Sequence, residues 1–326
     1  MGMWIGRNRK ARVTYGFDEI ALVPGRVTIN PNEVDITFRL PRKAAEPLEL
    51  KIPILASAMD GVVDVGFAIA MNKLGGLAVL NLEGVQTRNN NPQEVLQKIV
   101  EASKAEITAL LQRIYQEPIQ QDLIAARVRQ IKDAGVVAAV SSIPQRAAEF
   151  GRIAQEAGAD VFVVQSTVST VRHISSEYKS LDLDKFCREM RIPVIVGNTV
   201  GYDVTLEIME CGPAAVLVGV GPGAACTSRG VLGLGVPQVT ATVDCAAARD
   251  AYFKKTSRYV PIITDGGMTR GGDVCKALAC GADAVMVEAR SPRRAKRPDA
   301  ATIGAWLLRT PICRVVRASR WARPAH

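Results

Sequence analysis

The sequence predicts an α/β protein built as a single-domain TIM (β/α)₈ barrel, and three observations carry that expectation. Eight short runs rich in Val, Ile, Ala and Leu recur along the chain, without the polar alternation of half-exposed strands. That is the pattern of strands buried on both faces of a parallel sheet. Several runs share one punctuation: a helical pattern closes on Gly, a small residue and often Asp follow, and a β-branched run begins at once. Finally, 326 residues of which 48% are hydrophobic suffice for one large core without a second domain.

In order, the expected strands are residues 52–56, 77–81, 136–140, 161–164, 193–196, 214–220, 261–264 and 284–287. The punctuation is clearest at Ala157-Gly158-Ala159-Asp160, Cys211-Gly212-Pro213 and Cys280-Gly281-Ala282-Asp283, where glycine ends a helix and the next strand starts almost immediately. The first fifty residues precede strand one and are expected to cover the floor or side of the barrel. Residues 82–135 hold a polar stretch and then helical periodicity, so they read as an extended second βα unit.

The net charge of +9 is unevenly placed. Residues 289–326 hold ten of the 41 cations and one of the 32 acids, so 31 of each remain before them. A neutral body with a basic tail points away from nucleic acid as the main partner. Seven cysteines, all from Cys187 onward and without a CxxC pair, argue against a disulfide framework and a zinc ribbon. No run reaches 18 apolar residues and the N-terminus lacks a signal-peptide core, so a soluble cytoplasmic protein is expected.

The stretch Gly221-Pro222-Gly223-Ala224-Ala225-Cys226-Thr227-Ser228-Arg229 follows the sixth run, at the strand end where barrels place their chemistry. Loop amides, a following helix N-terminus and Arg229 would favour a thiolate at Cys226. The plainer alternative is a small buried apolar residue. Asp265-Gly266-Gly267 ends the seventh run. Its carboxylate could accept both hydroxyls of a ribose while the glycines let backbone approach a phosphate, or it could simply cap a turn. Asn198, ending the fifth run, could bind a ligand or sit in a turn. Ala56-Ser57-Ala58-Met59-Asp60-Gly61 ends the first; Met59 suits a planar base, with a core methionine as the alternative. His173 is the only histidine within the body of the chain, which leaves acid–base work to carboxylates, hydroxyls, Arg or the thiol.

Together these pieces resemble the IMP dehydrogenase and GMP reductase superfamily. Matching segments run from Tyr15-Gly16-Phe17-Asp18-Glu19-Ile20 through residues 53–60, Leu74-Gly75-Gly76-Leu77, Val196-Gly197-Asn198, the cysteine loop, Gly235-Val236-Pro237-Gln238 and Asp265-Gly266-Gly267 to Gly281-Ala282-Asp283-Ala284-Val285-Met286. The match looks closest to the "IMP dehydrogenase-related" third branch of actinobacteria and cyanobacteria, which has no CBS domain. The resemblance implies that Cys226 attacks C2 of a purine 5′-monophosphate, with Thr227 or Ser228 assisting proton transfer. It implies substrate contacts at Ser57, Met59, Asn198, Gly223, Asp265 and Gly267, cofactor contacts at Asp60, Gln165 and Ser166, and K⁺ on carbonyls of Gly221, Gly223 and Cys226. Gln165 departs from the family's usual Asp. The branch is similar to reductases in lacking regulatory domains, which implies GMP reduction to IMP. Oxidation of IMP to XMP is the alternative, the cofactor being NADPH or NAD and the assembly a homotetramer or octamer. An inactive nucleotide-binding or assembly subunit is the alternative of another class.

The resemblance stops after Val287, which divides the chain into a barrel, 1–287, and a divergent basic tail, 288–326. The family continues strand eight into a phosphate-binding Gly-Ser, whereas this chain has Glu288-Ala289 and an Arg-rich sequence punctuated by Pro292, Pro298, Pro311 and Pro324. A carboxylate about 4 Å from a phosphate is repulsive by roughly 1–4 kcal/mol. The abruptness suggests that 288–326 is read in a shifted frame, which resequencing the locus would show; a functional basic tail is the rival explanation.

Overall fold

Eight parallel strands close into a barrel in simple sequence order: β1 (Ile54–Ala56), β2 (Leu77–Asn81), β3 (Ala139–Ser142), β4 (Val161–Gln165), β5 (Val194–Thr199), β6 (Ala215–Val218), β7 (Ile262–Asp265) and β8 (Ala284–Val287). This computed structural model describes residues 4–5, 9–223 and 226–288. Apart from Glu288, the tail and its frame-shift reading lie outside the described residues, as does Ala224. Every expected strand is present. The third starts later than expected, because Asn72 takes the backbone of Val137 on both sides: its Nδ2 donates to the Val137 carbonyl at 3.1 Å and its Oδ1 accepts the amide at 3.2 Å. Residues 82–135 carry four helices, Val85–Arg88, Pro92–Glu101, Ile107–Gln116 and Gln121–Asp133, as an extended βα unit.

Side chains alternate between two apolar clusters. In β4, Val161 and Val163 join Leu55, Leu77, Val79, Ile195, Leu217, Ile263 and Met286 in the barrel interior. Phe162 and Val164 instead pack outward with the helix residues Phe150 and Phe186. This two-residue period, satisfied by apolar side chains on both faces, is why the runs are continuous.

The antiparallel hairpin Phe38–Arg42 and Ala45–Leu50 leads directly into β1. Its Phe38, Leu40, Leu48 and Leu50 belong to the interior cluster, so the hairpin seals the N-terminal end as the floor. Lys43 in its turn donates to the carbonyls of Cys187, Arg188 and Met190 at 2.5, 2.8 and 2.8 Å, at the end of helix Leu183–Glu189. A cation at a helix C-terminus satisfies carbonyls that have no partner within the helix. Upstream, the chain runs along the barrel's side: the Tyr15 amide donates to Thr240 Oγ1 at 2.8 Å, and Lys276 Nζ donates to the Phe17 carbonyl at 2.7 Å.

The Gly-Ala-Asp punctuation has a specific cause. Gly158 and Gly281 adopt φ of +98° and +122°, conformations glycine tolerates, and turn the chain from helix to strand. The aspartate then stitches its strand to the preceding one. Asp160 receives the Ala138 amide on Oδ2 at 2.8 Å and sends its own amide to the Ala138 carbonyl at 2.8 Å. Asp283 does the same with the amide and carbonyl of Ile262, at 2.9 and 2.8 Å. Asp283 is also held by the buried Arg249 at 2.9 Å and by the Tyr259 hydroxyl at 2.6 Å. Arg249 and Asp283 are only 8% and 12% exposed, against 36% and 21% for the pair Lys132 and Asp160. Removing one partner of the more buried pair strands a charge. Asp283→Ala is therefore expected to lower the unfolding free energy by about 3–5 kcal/mol. Asp160→Ala should cost about 1–2 kcal/mol, and urea unfolding of the two variants checks the order.

Candidate active site

At the C-terminal mouth lies a cavity of about 410 Å³ to which all eight strand ends or the loops after them contribute. Asp265, the last residue of β7, is its polar centre. Asn198 Nδ2 donates to Asp265 Oδ2 at 2.8 Å, and Gln165 Nε2 reaches the same oxygen at 3.0 Å and Asn198 Oδ1 at 3.3 Å. Three strands thus converge on one carboxylate. Burial raises the Asp265 pKa to about 6; the amide of Asn198 opposes this, the charge of Glu288 adds to it, and Ser57 and Gln165 oppose it further. Glu288, directly after β8, is itself raised by burial.

The cysteine loop leaves β6 through Gly219 and Gly221, both with positive φ. A Cβ at Gly219 would fall 2.4 Å from the Asp265 carbonyl, so only glycine fits there. Cys226 is exposed and its Sγ–H donates to Ser228 Oγ at 3.3 Å, while its amide donates to the Gly223 carbonyl at 3.1 Å. Ser228 opens the short helix Ser228–Val231. Arg229, expected to add charge beside the thiol, is engaged by backbone. Its guanidinium donates to the carbonyls of Val220 at 3.2 Å and Val236 at 2.5 Å, pinning the two ends of the loop together.

In an eight-stranded ring β2 lies opposite β6, and β3 opposite β7. The wall facing the cysteine loop is therefore built from Asn81, Glu83, Ser141 and Ser142, with Gln165 and Ser166 beside them. Glu83 accepts from Ser142 Oγ at 2.7 Å and pairs with Arg146 at 3.5 Å. Asn81, Glu83, Ser141 and Ser142 were not singled out in the sequence; the signal for them was the pair of serines directly after the third run.

Of the residues expected at the site, Cys226, Ser228, Gly221, Gly223, Asn198, Asp265, Gln165 and Ser166 line this one cavity. Ser57 is buried close to Asp265. Thr227 is exposed next to the cysteine, and Gly267 turns against Pro222, whose Cβ would lie 3.0 Å from a Cβ placed there. Met59 and Asp60 are not among the lining residues. Met59 is 37% exposed, and Asp60 is turned to the wall, where Oδ2 accepts the Val85 amide at 2.8 Å and the Tyr115 hydroxyl at 2.6 Å. Among the described residues no cluster of His, Cys, Asp or Glu could hold a metal ion, and no helix is long and apolar enough to cross a membrane.

Gln238, which opens helix Gln238–Thr256, positions the site from below. Its Nε2 donates to the carbonyls of Val218 at 2.7 Å and Asp265 at 3.0 Å, tying the ends of β6 and β7 together. Gln238→Leu leaves both buried carbonyls without this donor. The variant should lose about 1–3 kcal/mol of stability in urea unfolding.

Comparison with known proteins agrees with this geometry. A profile described as "IMP dehydrogenase / GMP reductase domain" matches residues 14–290. The chain is 37% identical to an uncharacterized oxidoreductase of Mycolicibacterium smegmatis, over 87% of this chain and 76% of that protein. It is 32% identical to the inosine-5′-monophosphate dehydrogenase of Cryptosporidium parvum, over 83% and 66%. The crystal structure of an IMP dehydrogenase/GMP reductase-like protein from Corynebacterium glutamicum superposes with a TM-score of 0.80 at 35% identity, covering 88% of this chain and 75% of the other. On this agreement of barrel and sequence, the chain is an oxidoreductase of the IMP dehydrogenase/GMP reductase family.

Proposed function

We propose that this chain catalyses a nicotinamide-dependent oxidoreduction at C2 of a purine ribonucleotide through a covalent bond to Cys226, in the direction GMP to IMP. The observation that carries the reading is the sharing of one cavity by an exposed thiol and the Asp265 cluster. A purine ring over Cys226 leaves its ribose diol for Asp265, an acceptor for two hydroxyls. Asn198 and Gln165 fix that carboxylate through Oδ2.

The chemistry follows from these positions. Cys226 thiolate adds to C2 of GMP; the bond from C2 to the exocyclic amine breaks, and the amine takes protons and leaves as ammonia. Hydride is then delivered to C2, the C–S bond breaks, and IMP is released with the thiolate restored. Splitting the displacement into two steps is the gain from the nucleophile. Ser228 Oγ, which accepts the thiol hydrogen, places a proton-relaying hydroxyl beside the sulfur, with Thr227 next to it.

A nicotinamide fits the wall opposite Cys226, where Ser142, Gln165 and Ser166 offer polar contacts and Ile143 an apolar one. When bound, reduced nicotinamide supplies hydride and is oxidised. NADPH is the cofactor of the reductive direction. K⁺ on the cysteine-loop carbonyls belongs to the same proposal, and no step depends on it. A homotetramer or octamer in the cytoplasm belongs to the same proposal.

A second reading, oxidation of IMP to XMP with NAD, is favoured by the names of relatives such as the Cryptosporidium parvum enzyme. Incubating the protein with GMP and NADPH should lower the nicotinamide absorbance. A rise with IMP and NAD would instead establish the second reading, and no change in either assay would point to a silent nucleotide-binding subunit. Cys226→Ala should reduce turnover by at least about 10³-fold; full turnover in that variant would exclude the covalent route. Because Asp265 binds hydroxyls best when ionised, ligand affinity should rise with pH through about 6, and Asp265→Asn should abolish that rise in calorimetric titration.

A further inference from the structure

Among the described residues, the wall facing the cysteine loop presents Glu83 as its charged side chain, and no Lys, Arg or His lines the cavity. The backbone around Glu83 is fixed. Its amide donates to Asn81 Oδ1 at 2.9 Å, its carbonyl accepts from Arg88 Nε at 3.1 Å, and the preceding Leu82 amide extends the sheet to the Ser141 carbonyl at 2.9 Å. The side chain is only 18% exposed, and its Oε1 accepts from Ser142 Oγ at 2.7 Å and from the Ile143 amide at 3.4 Å. Ser142 and Ile143 are the polar and apolar contacts that this wall offers a nicotinamide, so the carboxylate stands next to the place of the ring. Arg146 balances it only in part. Arg146 Nη1 is 3.5 Å from Glu83 Oε2, but the side chain is 44% exposed, lies over the Phe150 ring at 5.8 Å on helix Pro144–Glu156, and is not among the lining residues. The negative end of the pair faces the cavity and the positive end faces solvent.

We propose that Glu83 is a specificity-determining residue for the oxidation state of the cofactor: its carboxylate favours the oxidised nicotinamide, whose ring carries one positive charge, over the neutral reduced ring. This rests on the nicotinamide reading of the wall and adds which form the wall prefers. The phosphates and riboses of the two forms are alike, so a charge beside the ring acts on the difference between them. Inside a cavity that difference is weakened little by solvent, and an exposed cation such as Arg146 offsets only a fraction of it. The same charge bears on direction. Reduction of the purine takes two electrons and one proton from the ring and leaves one positive charge on it, and a fixed anion stabilises charge that develops in this way. In the oxidative direction the carboxylate would hold the starting form instead. Glu83 thus supports the reductive direction.

Calorimetric titration of the full chain with NADP⁺ and NADPH, and with NAD⁺ and NADH, reads the preference directly. The purine site is filled with IMP, and the chain carries Cys226→Ala so that nothing turns over. The quantity compared is the affinity for the oxidised form divided by that for the reduced form. Adding Glu83→Gln should lower this ratio by at least about threefold, through loss of affinity for the oxidised form. The glutamine amide oxygen can still accept from Ser142 and Ile143, so the change reports charge rather than a lost brace. Arg146→Gln, which removes the opposing cation, should raise the ratio. Thermal denaturation confirms folding, and the Arg146 variant leaves Glu83 itself untouched. A smaller change on Glu83→Gln, with both forms weakened together, would make Glu83 a brace for Ser142 and overturn the inference, as would a ratio that stays or falls on Arg146→Gln. In either case binding of both forms leaves the nicotinamide reading standing. Failure of every form to bind any of the folded proteins would overturn that reading and this inference with it.

Discussion

The parallel pairing of β8 with β1 is the interaction on which the rest of the molecule depends. Val285, Met286 and Val287 stand opposite Ile54, Leu55 and Ala56, and the Ser57 amide continues the ladder to the Val287 carbonyl at 3.1 Å. Without that seam the sheet has two open edges, and the eight strand ends no longer form a ring. β8 is only four residues long and is the last element described. Its lower end is held from outside by Asp283, through Arg249, Tyr259 and the Ile262 amide. Its upper end delivers Glu288 into the cavity. One short strand therefore closes the fold and sets the charge at the mouth.

The mouth is a problem in electrostatics before it is one of catalysis. Two carboxylates, Asp265 and Glu288, share a confined space, and both are harder to ionise than free carboxylates because of burial. The chain answers with neutral donors. Gln165 and Asn198 both aim amide hydrogens at Asp265 Oδ2, and no cation among the described residues is hydrogen-bonded to that carboxylate. An amide rather than a carboxylate at Gln165 fits this setting. A third carboxylate across the ring would oppose Asp265, whereas an amide supports it. Arg229 lies in the neighbouring loop, with its guanidinium directed to carbonyls.

Most of the barrel was legible because a strand buried on both faces has few alternatives to a continuous apolar run. The Gly-Ala-Asp punctuation was equally plain, although its reason, an aspartate stitching its strand to the preceding one, needed the contacts at Asp160 and Asp283. The third strand was displaced because Val136 and Val137 have strand composition, while the distant Asn72 decides their hydrogen bonding. At the site, Cys226, Asp265 and Asn198 announced themselves as polar residues at strand ends in glycine-rich turns. Glu83 and Ser142 did not, because their relevance comes from ring closure, which sets β2 and β3 opposite β6 and β7. Asp60 shows the converse limit. The resemblance implies a cofactor contact there, and the hydrogen bonds of its carboxylate run to neighbours, Val85 and Tyr115.

The floor hairpin has a consequence for molecular traffic. Phe38, Leu40, Leu48 and Leu50 fuse with the interior side chains, so among the described residues the barrel is solid beneath the cavity and ligands have one doorway. Whatever occupies the depth near Asp265 must arrive before anything seated above it and depart after it. In a vessel sealed at the bottom, the sequence of arrivals and departures is a matter of architecture as much as of affinity.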